Sequence, residues 1–349
     1  MNEQRPPHTT PTIRDVALRS GVSPMTVSRV VNGSARVRPA TRERVEAAIA
    51  ALGYVPNHLA RGLTRQKTSA IGLIVPDFAD PFFTLILRGA EDVARRAGFR
   101  VILCNTDGDV DREDAYLEDM VAHRVAGLLI APVSDRSRGN LRRLGQHRVP
   151  FVLIDRSIPG VETDVVQGDS IDGARQLTAH LIARGHRRIA HITEPREVST
   201  ARDRLRGYRD ALTDAGIPFD PQLVVEAKSA TRAGGYDATR ALLSRAVAPT
   251  AIFAVNNLAA VGAVMAIREQ GLEIPDDLAV VCFDDIELAA ILCPFLTVMA
   301  QPAETFGTLG AQLLLDRIAG RTPERRRRVV LPADLIIRVS SGADPELIA

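Results

Sequence analysis

Short apolar runs alternate with longer amphipathic segments from residue 70 to about residue 155. The apolar runs are AIGLIV (70–75), RVILCN (100–105), GLLIA (127–131) and FVLI (151–154). The segments between them have helical spacing over Pro81 to Ala97, Val110 to Ala122 and a stretch near Leu141. Apolar runs separated by helical patterns predict βαβ units, a parallel sheet and right-handed crossovers.

The same alternation starts again near Ser170. Its apolar runs are RIAHI (188–192), LVVEA (223–227), TAIFAV (250–255) and AVVCF (279–283), with helices over Ser170 to Arg184, Thr200 to Ala215, from Thr231, and Leu258 to Gln270. Two similar α/β lobes are therefore expected, with ligands binding beyond the carboxyl ends of the strands. The remaining LTVMAQP (296–302), a helix over Ala303 to Ile318 and two last strands, Val329 to Leu331 and Leu335 to Arg338, are expected to cross back.

The first 55 residues show three short helical patterns instead. Thr12, with Asp15 three residues on, is placed to cap the first helix, and Gly21 suits the left-handed position at its end. Ser23 is placed to cap a second helix, and a third is predicted over Pro39 to Leu52. Two short helices joined by a tight glycine turn predict a helix-turn-helix, which places its second helix in the DNA major groove.

The distribution of charge supports this interpretation. Residues 1–67 carry eleven Lys/Arg against four acids, whereas the rest of the 349-residue chain carries 33 against 38. A basic head on an acidic body predicts that the head meets a polyanion.

The stretch TIRDVALRSGVSPMTVSRVVNGSARVRPATRERVEAAIAALGYVPNHLARGL, residues 12–63, resembles the LacI/GalR family of transcription regulators, and the resemblance continues through almost the whole chain. It implies an all-α helix-turn-helix head, a hinge helix and an α/β two-lobed periplasmic-binding-protein-like core with parallel sheets. It also implies a repressor that binds a palindromic operator in double-stranded DNA as a homodimer, under control of a small effector.

The resemblance gives the exposed head residues their roles. Residues at positions that read base edges are Pro24, Met25 and Arg29, and those at positions that hold backbone phosphates are Thr12, Ser23, Thr26, Ser28 and Asn32. A guanidinium such as that of Arg29 makes two hydrogen bonds to guanine, and a methionine suits a thymine methyl. The alternatives are that Arg29 lies on a solvated face and that Met25 has no base preference.

Residues 56–64 match the hinge, which in the family becomes helical only on DNA. Asn57 belongs to this DNA-binding segment, and Leu63 matches the leucine that wedges into the minor groove, where an inserted apolar side chain stabilises a kink. Gly62 is a departure from the family pattern, and glycine lowers helix propensity by roughly 1 kcal/mol relative to alanine.

Polar and aromatic residues near the strand ends are candidates for the effector site. They are Asp80, Phe82, Phe83, Asp155, Asp169, Arg204, Asn256 and Asp284. A guanidinium fork with Asn and Asp acceptors suits the hydroxyls of a sugar or polyol, or a small carboxylate. The alternative for the two phenylalanines is that they pack in the lobe core.

Three positions depart from the usual family pattern. Asp80 replaces a more usual Asn, Asn257 stands where Asp is usual, and Cys282-Phe283 replaces a frequent Gly-Tyr. Asn257 predicts the loss of one negative charge near the cleft, and Cys282-Phe283 predicts the loss of a tyrosine hydroxyl.

Other function classes find less support. The sequence has no G-x-G-x-x-G after a strand, no P-loop, no H-E-x-x-H and no G-x-S-x-G, so neither an enzyme nor a cofactor is expected. His180, His186 and His191 straddle a predicted helix, turn and strand, which is poor metal geometry. The three cysteines, Cys104, Cys282 and Cys293, are interpreted as buried apolar residues.

The remaining alternatives are a solute-binding receptor of the same core fold without a DNA role, and a DNA-looping tetramer. The N-terminus lacks a signal-peptide pattern and no run of eighteen apolar residues occurs, which predicts a cytoplasmic protein without membrane contact. The tail after Arg338 has no leucine heptads, which favours a dimer.

These observations predict a head over 1–55 with 1–11 disordered, a hinge and linker over 56–68, and a core over 69–349. The resemblance implies that the first lobe contains 69–167 and 297–326, and the second 168–296 and 327–349.

Overall fold

A computed structural model of the chain describes residues 11–31, 36–54, 68–227, 229–245, 248–286, 295–321, 323 and 325–342. Contacts divide the chain into two compact units, Met1–Thr68 and Ser69–Ala349. The predicted hinge, with Asn57, Gly62 and Leu63, lies outside the described residues, as do Asn32 and Cys293.

The described part of the first unit contains three helices, α1 (Ile13–Ser20), α2 (Pro24–Val31) and α3 (Pro39–Leu52). Thr12 and Asp15 form the predicted capping box, and Gly21 takes the left-handed conformation with φ 65°. The small core is made of one apolar stripe from each helix: Val16, Ala17, Val27, Val30, Val45 and Ala48. Burying these stripes fixes the opposite face of α2 towards solvent.

The first lobe of the second unit is a six-stranded, wholly parallel sheet in the order β11-β5-β4-β3-β1-β2. Its strands are β1 (Ala70–Val75), β2 (Arg100–Asn105), β3 (Gly127–Ile130), β4 (Phe151–Ile154), β5 (Asp164–Gly168) and β11 (Arg328–Leu331). Its helices are α4 (Pro81–Arg96), α5 (Val110–Ala122), α6 (Arg138–Gln146) and α11 (Ala303–Ile318). Separate apolar clusters on the two faces of the sheet bury α4 with α11 and α5 with α6.

The second lobe repeats this plan with the strand order β12-β10-β9-β8-β6-β7. Its strands are β6 (Ile189–Thr193), β7 (Val224–Glu226), β8 (Ala251–Ala254), β9 (Ala279–Phe283), β10 (Thr297–Ala300) and β12 (Asp334–Ile336), of which only β12 pairs antiparallel among the described pairings. Its helices are α7 (Ser170–Ala183), α8 (Ser199–Asp214), α9 (Arg232–Leu243) and α10 (Asn257–Glu269). The expectation of two parallel-sheet lobes is confirmed.

Two of the predicted lobe assignments are wrong. Residues 297–300 were expected in the first lobe, but β10 pairs with β9 and β12 in the second sheet. Residues 328–331 were expected in the second lobe, but β11 pairs with β5 in the first. Both errors follow from the number of crossings: the chain passes between the lobes after β5, after β10 and after β11.

The strand β5 was not predicted, because its polar residues hide its burial pattern. Asp164 is fully buried, and it accepts hydrogen bonds from the backbone N–H and side chain of Arg327 and from Nε of Arg317, the latter at 2.9 Å. These guanidinium groups hold the pKa of Asp164 below its ordinary value although burial opposes them. The carboxylate thereby ties α11 and the start of β11 to the first-lobe sheet.

In the described part of the chain, every helix is too short or too polar to span a lipid bilayer.

Candidate functional site

Side-chain hydrogen bonds cap the N-terminus of α2, which faces solvent. Ser23 Oγ accepts a hydrogen bond from the Thr26 backbone N–H at 3.2 Å and lies 3.0 Å from the Thr26 hydroxyl. Ser23 and Pro24 are exposed, while Thr26 and Ser28 are half-buried. Thr12 is also exposed, at the N-terminus of α1.

Two side chains project further from α2. Met25 is 63% exposed, although it is apolar, and Arg29 is exposed one turn later. A large apolar side chain that the fold leaves in water is available for contact with a partner. The structure thus brings the predicted base-reading residues together on one exposed helix face, next to the caps.

A cavity of about 460 Å³ lies in the second unit, between the two lobes. Seven strands end near it, because the residues that line it include ones that follow the ends of β1, β2, β3, β4, β6, β7 and β8 by one to three positions. The lining residues are Pro76, Asp77, Asp80, Phe83, Asp107, Gly108, Val110, Val133, Ser134, Arg136, Arg156, Glu194, Pro195, Glu197, Val198, Ser229, Ala230, Thr231, Asn256 and Leu258. This is the position where parallel α/β sheets bind ligands.

Asp80 joins the lobes at one side of this cavity. It caps α4 by accepting from the Phe82 N–H at 2.9 Å, and it is buried. The amide nitrogens of Asn256 and Asn257, from the second lobe, donate to its two carboxylate oxygens at 3.4 and 3.2 Å. Burial raises the pKa of Asp80, and the hydrogen bonds from the Phe82 N–H and from Asn257 oppose that rise.

A second lobe-to-lobe contact involves Arg156. Its guanidinium donates to the Val133 carbonyl at 3.0 Å and to Glu194 of the second lobe at 3.4 Å. It also lies 3.5 Å from the buried carboxylate of Asp155, whose pKa is raised by burial. The guanidinium is therefore held by protein groups on both sides of the cleft.

Arg204, on α8, lies behind the cavity. It donates to the Val255 carbonyl at 2.5 Å, forms an ion pair with Asp284 at 3.8 Å, and stacks 3.9 Å above the Phe283 ring centroid. Gln301 donates to the other carboxylate oxygen of Asp284 at 2.8 Å. Burial raises the pKa of Asp284 to about 7, although Arg204 opposes the shift.

The predicted effector residues fall into three groups. Asp80, Phe83 and Asn256 line the cavity, and Asp155, Arg204 and Asp284 form a buried polar layer that does not line it. Phe82 packs edge-on against Phe83 and Phe306, which agrees with the core alternative for this residue. Asp169 is exposed and caps α7, away from the cavity lining.

Sequence reasoning missed Arg156, Glu194 and Gln301. Arg156 and Glu194 each lie within two residues of a strand's carboxyl end, so the strand-end rule that selected Asp155 also applies to them. Gln301 follows β10, which had been assigned to the other lobe.

The three histidines are structural. His180 Nε2 lies 2.8 Å from the Ser341 hydroxyl, and His186 Nδ1 lies 3.0 Å from that of Thr250. His191 is fully buried between Tyr208 and Phe253. Within the described ranges these side chains do not form a group that would hold a metal ion.

Family models cover both units of the chain. Residues 12–57 match the model described as bacterial regulatory proteins, lacI family. Residues 68–339 match the model described as periplasmic binding proteins and sugar binding domain of LacI family.

Individual proteins match over nearly the whole length. The ribose operon repressor of Escherichia coli (strain K12) is 38% identical over 323 residues, which cover 92% of this chain and 97% of the repressor. A structure of the lac repressor dimer bound to operator and the anti-inducer ONPF is 30% identical with a TM-score of 0.82, covering 96% and 100% of the two chains. A transcriptional regulator CelR-cellobiose complex is 37% identical with a TM-score of 0.69, covering 95% and 99%.

Proposed function

Because the chain belongs to the LacI family of DNA-binding transcriptional regulators, we propose that it represses transcription from a palindromic operator and that a sugar in the interlobe cavity controls its affinity for DNA. The observation that carries this proposal is that one chain contains both the exposed helix α2 and an interlobe cavity. The chain is a regulator and not an enzyme, as its relatives are.

The DNA half of the proposal rests on α2. We assign base contacts to Pro24, Met25 and Arg29, and phosphate contacts to a second set: Thr12, Ser23, Thr26, Ser28 and Asn32. A homodimer presents two such helices related by a two-fold axis, so its operator consists of two inverted half-sites. Operator DNA lies in the cytoplasm, and we place the protein there.

The ligand half rests on the chemistry around the cavity. Carboxylates, guanidiniums and amides at fixed positions match the paired donor and acceptor character of sugar hydroxyls. Relatives support this class, since one is named a ribose operon repressor and another was solved with cellobiose. We also propose Asp155, Arg204 and Asp284 as effector residues, because they form the buried polar layer next to the cavity. We add Asp169, which lies where the chain passes from the first lobe to the second.

The hinge is the proposed link between the two halves. Residues 56–64 connect the head to the first lobe, and an isolated helix of this length is unstable in water. We propose that Asn57 and Leu63 bind DNA when the segment folds against its dimer mate. A sugar then changes operator affinity only as far as it favours one arrangement of the lobes, typically by about 1–3 kcal/mol.

A two-part experiment tests the proposal. Neutral sugars are screened by thermal shift, since a ligand that binds the native state raises the unfolding midpoint. An operator selected from random DNA is then titrated by fluorescence anisotropy with and without each hit.

Crossed variants serve as controls. Arg29→Ala should keep the sugar-induced thermal shift and lose operator specificity, whereas Phe83→Ala should keep operator binding and lose the shift. A chain that binds DNA but responds to no sugar contradicts the ligand half, and an asymmetric selected site contradicts the DNA half.

A further inference from the structure

The charges that line the interlobe cavity are unbalanced. Among the described residues that line it, five carry carboxylates (Asp77, Asp80, Asp107, Glu194 and Glu197) and two carry guanidiniums (Arg136 and Arg156). Two of these acids are neutralised by neighbours: Asp107 is paired with Arg112, and Glu194 is paired with Arg156 at 3.4 Å.

The other three acids face the cavity without a cation of their own. Within the part of the chain that the structure describes, no ion pair engages Asp77, Asp80 or Glu197. Asp80 is held by amide donors only, and Asp77 accepts a backbone hydrogen bond from Ala79 at 2.8 Å. Glu197 is exposed at the cavity wall.

The guanidinium groups near the cavity provide little free positive charge that could attract an incoming anion. Arg156 is buried and already donates to Glu194 and to the carbonyls of Pro132 and Val133. Arg204 does not line the cavity, and its guanidinium already forms an ion pair with Asp284 and a hydrogen bond to the Val255 carbonyl. Only Arg136, exposed at the wall, remains among the lining cations.

We propose that Asp77, Asp80 and Glu197 make this cavity a charge filter that admits neutral and cationic polyols and rejects sugar acids and sugar phosphates. The proposal rests on the proposed effector function and narrows its ligand class. Uncompensated charges within about 8 Å of a ligand, at the intermediate dielectric of a cleft, change the affinity of a singly charged ligand by about tenfold.

The field inside the cavity is measurable without knowing the effector. Ser229 is exposed and lines the cavity, so Ser229→Cys places a thiol there. The thiol is reacted with two methanethiosulfonates of similar size, one carrying a sulfonate and one a trimethylammonium group. The ratio of their rates, normalised to that of free 2-mercaptoethanol, reports the local potential, because a shift in the thiol pKa affects both rates equally.

The cationic reagent should react about tenfold faster after this normalisation, and the preference should shrink as ionic strength rises. Adding Asp77→Asn and Glu197→Gln should reduce the preference at least about threefold, whereas Arg136→Gln should increase it. The parent chain without the added cysteine gives the background rate, and Ser134→Cys repeats the measurement from the first lobe. A ratio near that of the free thiol, or one insensitive to these variants, would overturn the filter.

Ligand binding gives a separate readout. D-glucose is compared with D-glucuronate, and D-ribose with D-ribose 5-phosphate, by calorimetry on the full chain. Each anion should bind at least about tenfold more weakly than its neutral parent. Tighter binding of an anion contradicts the filter, whereas failure of every sugar to bind counts against the proposed effector class and leaves the thiol measurement to decide the filter.

Discussion

The side-chain amide nitrogen of Asn257 lies 3.2 Å from Oδ1 of Asp80, so a hydrogen bond between an amide and a carboxylate joins the two lobes. In the sequence these residues are two separate departures from the family pattern, an Asp in place of Asn and an Asn in place of Asp. The structure makes them one exchanged pair. The carboxyl group that Asn257 lacks is therefore present beside it, in Asp80.

Exchanging the pair should preserve the contact that either single change disrupts. Asn257→Asp places a second carboxylate beside buried Asp80 and should cost about 3 kcal/mol of unfolding free energy. Asp80→Asn keeps an amide pair and should cost about 1 kcal/mol. The double variant Asp80→Asn/Asn257→Asp should recover to within about 1 kcal/mol of the parent, measured by urea denaturation. Additive losses in the double variant would show that the two residues do not interact.

The buried carboxyl of Asp284 should make stability fall as pH rises. Its pKa is about 7 in the folded chain against an ordinary 3.8, so between these values the folded state holds a proton that the unfolded state has lost. The stabilising contribution is complete below pH 3.8 and disappears as pH passes 7, by on the order of 1 kcal/mol per pH unit. Asp284→Asn should remove this slope in denaturation curves measured from pH 5 to 8; an unchanged slope would contradict the assignment.

His191 should produce the opposite slope at lower pH. Burial lowers its pKa from 6.5 to about 4, so the unfolded state binds the proton first and stability falls as pH drops through this interval. The ring lies 4.4 Å from that of Phe253, and Nδ1 is 3.1 Å from the Phe253 carbonyl. His191→Phe should lower the overall stability but flatten the acid side of the profile between pH 4 and 6.5. A variant that keeps the acid slope would place the sensitive group elsewhere.

The sequence predicted elements best where apolar runs and caps agree. β1, β4 and β9 are continuous apolar runs whose residues are almost all buried, and their limits were correct from the pattern alone. Periodicity does not carry the order of strands along a sheet, so the assignment of β10 and β11 had to come from pairing. Each of these strands has four residues, and this length does not indicate which sheet the strand joins.

The sequence shows which residues lie near the cleft, but it does not show which of their side chains face it. Strand ends located Asp80 and Asn256 correctly on the lining, but they did not show that Arg204 is turned towards Val255 and Asp284. That orientation depends on the stacking of its guanidinium on Phe283, a contact between separate elements. Local sequence contains no information on such a contact.

The packing of α4 against α11 should depend on a glycine. A Cβ added to Gly307 would lie 1.9 Å from the Ile86 carbonyl oxygen, which is backbone and cannot move aside cheaply. Gly307→Ala should therefore lower the unfolding free energy by at least about 2 kcal/mol, although alanine is the better helix former. Gly139→Ala in α6, where an added Cβ meets nothing within 4 Å, is the matched control and should be neutral or stabilising by up to about 1 kcal/mol. Equal effects of the two changes would show that the close approach is not limiting.

Arg29 should carry base specificity and not only positive charge. It is exposed on α2, one turn after Met25, and a guanidinium in the major groove makes a bidentate contact with guanine. Arg29→Ala should cost about 1–3 kcal/mol on the selected operator and relax the preference at one symmetric pair of base positions. Arg29→Lys keeps the charge but loses the planar fork, so it should retain binding to random DNA and its salt dependence while losing the same base preference. The measurement is anisotropy titration of operator and single-base variants over a range of salt concentrations. If Arg29→Ala weakened binding to every sequence equally and Arg29→Lys restored it fully, the side chain would be a phosphate contact, and base reading would have to pass to Pro24 and Met25.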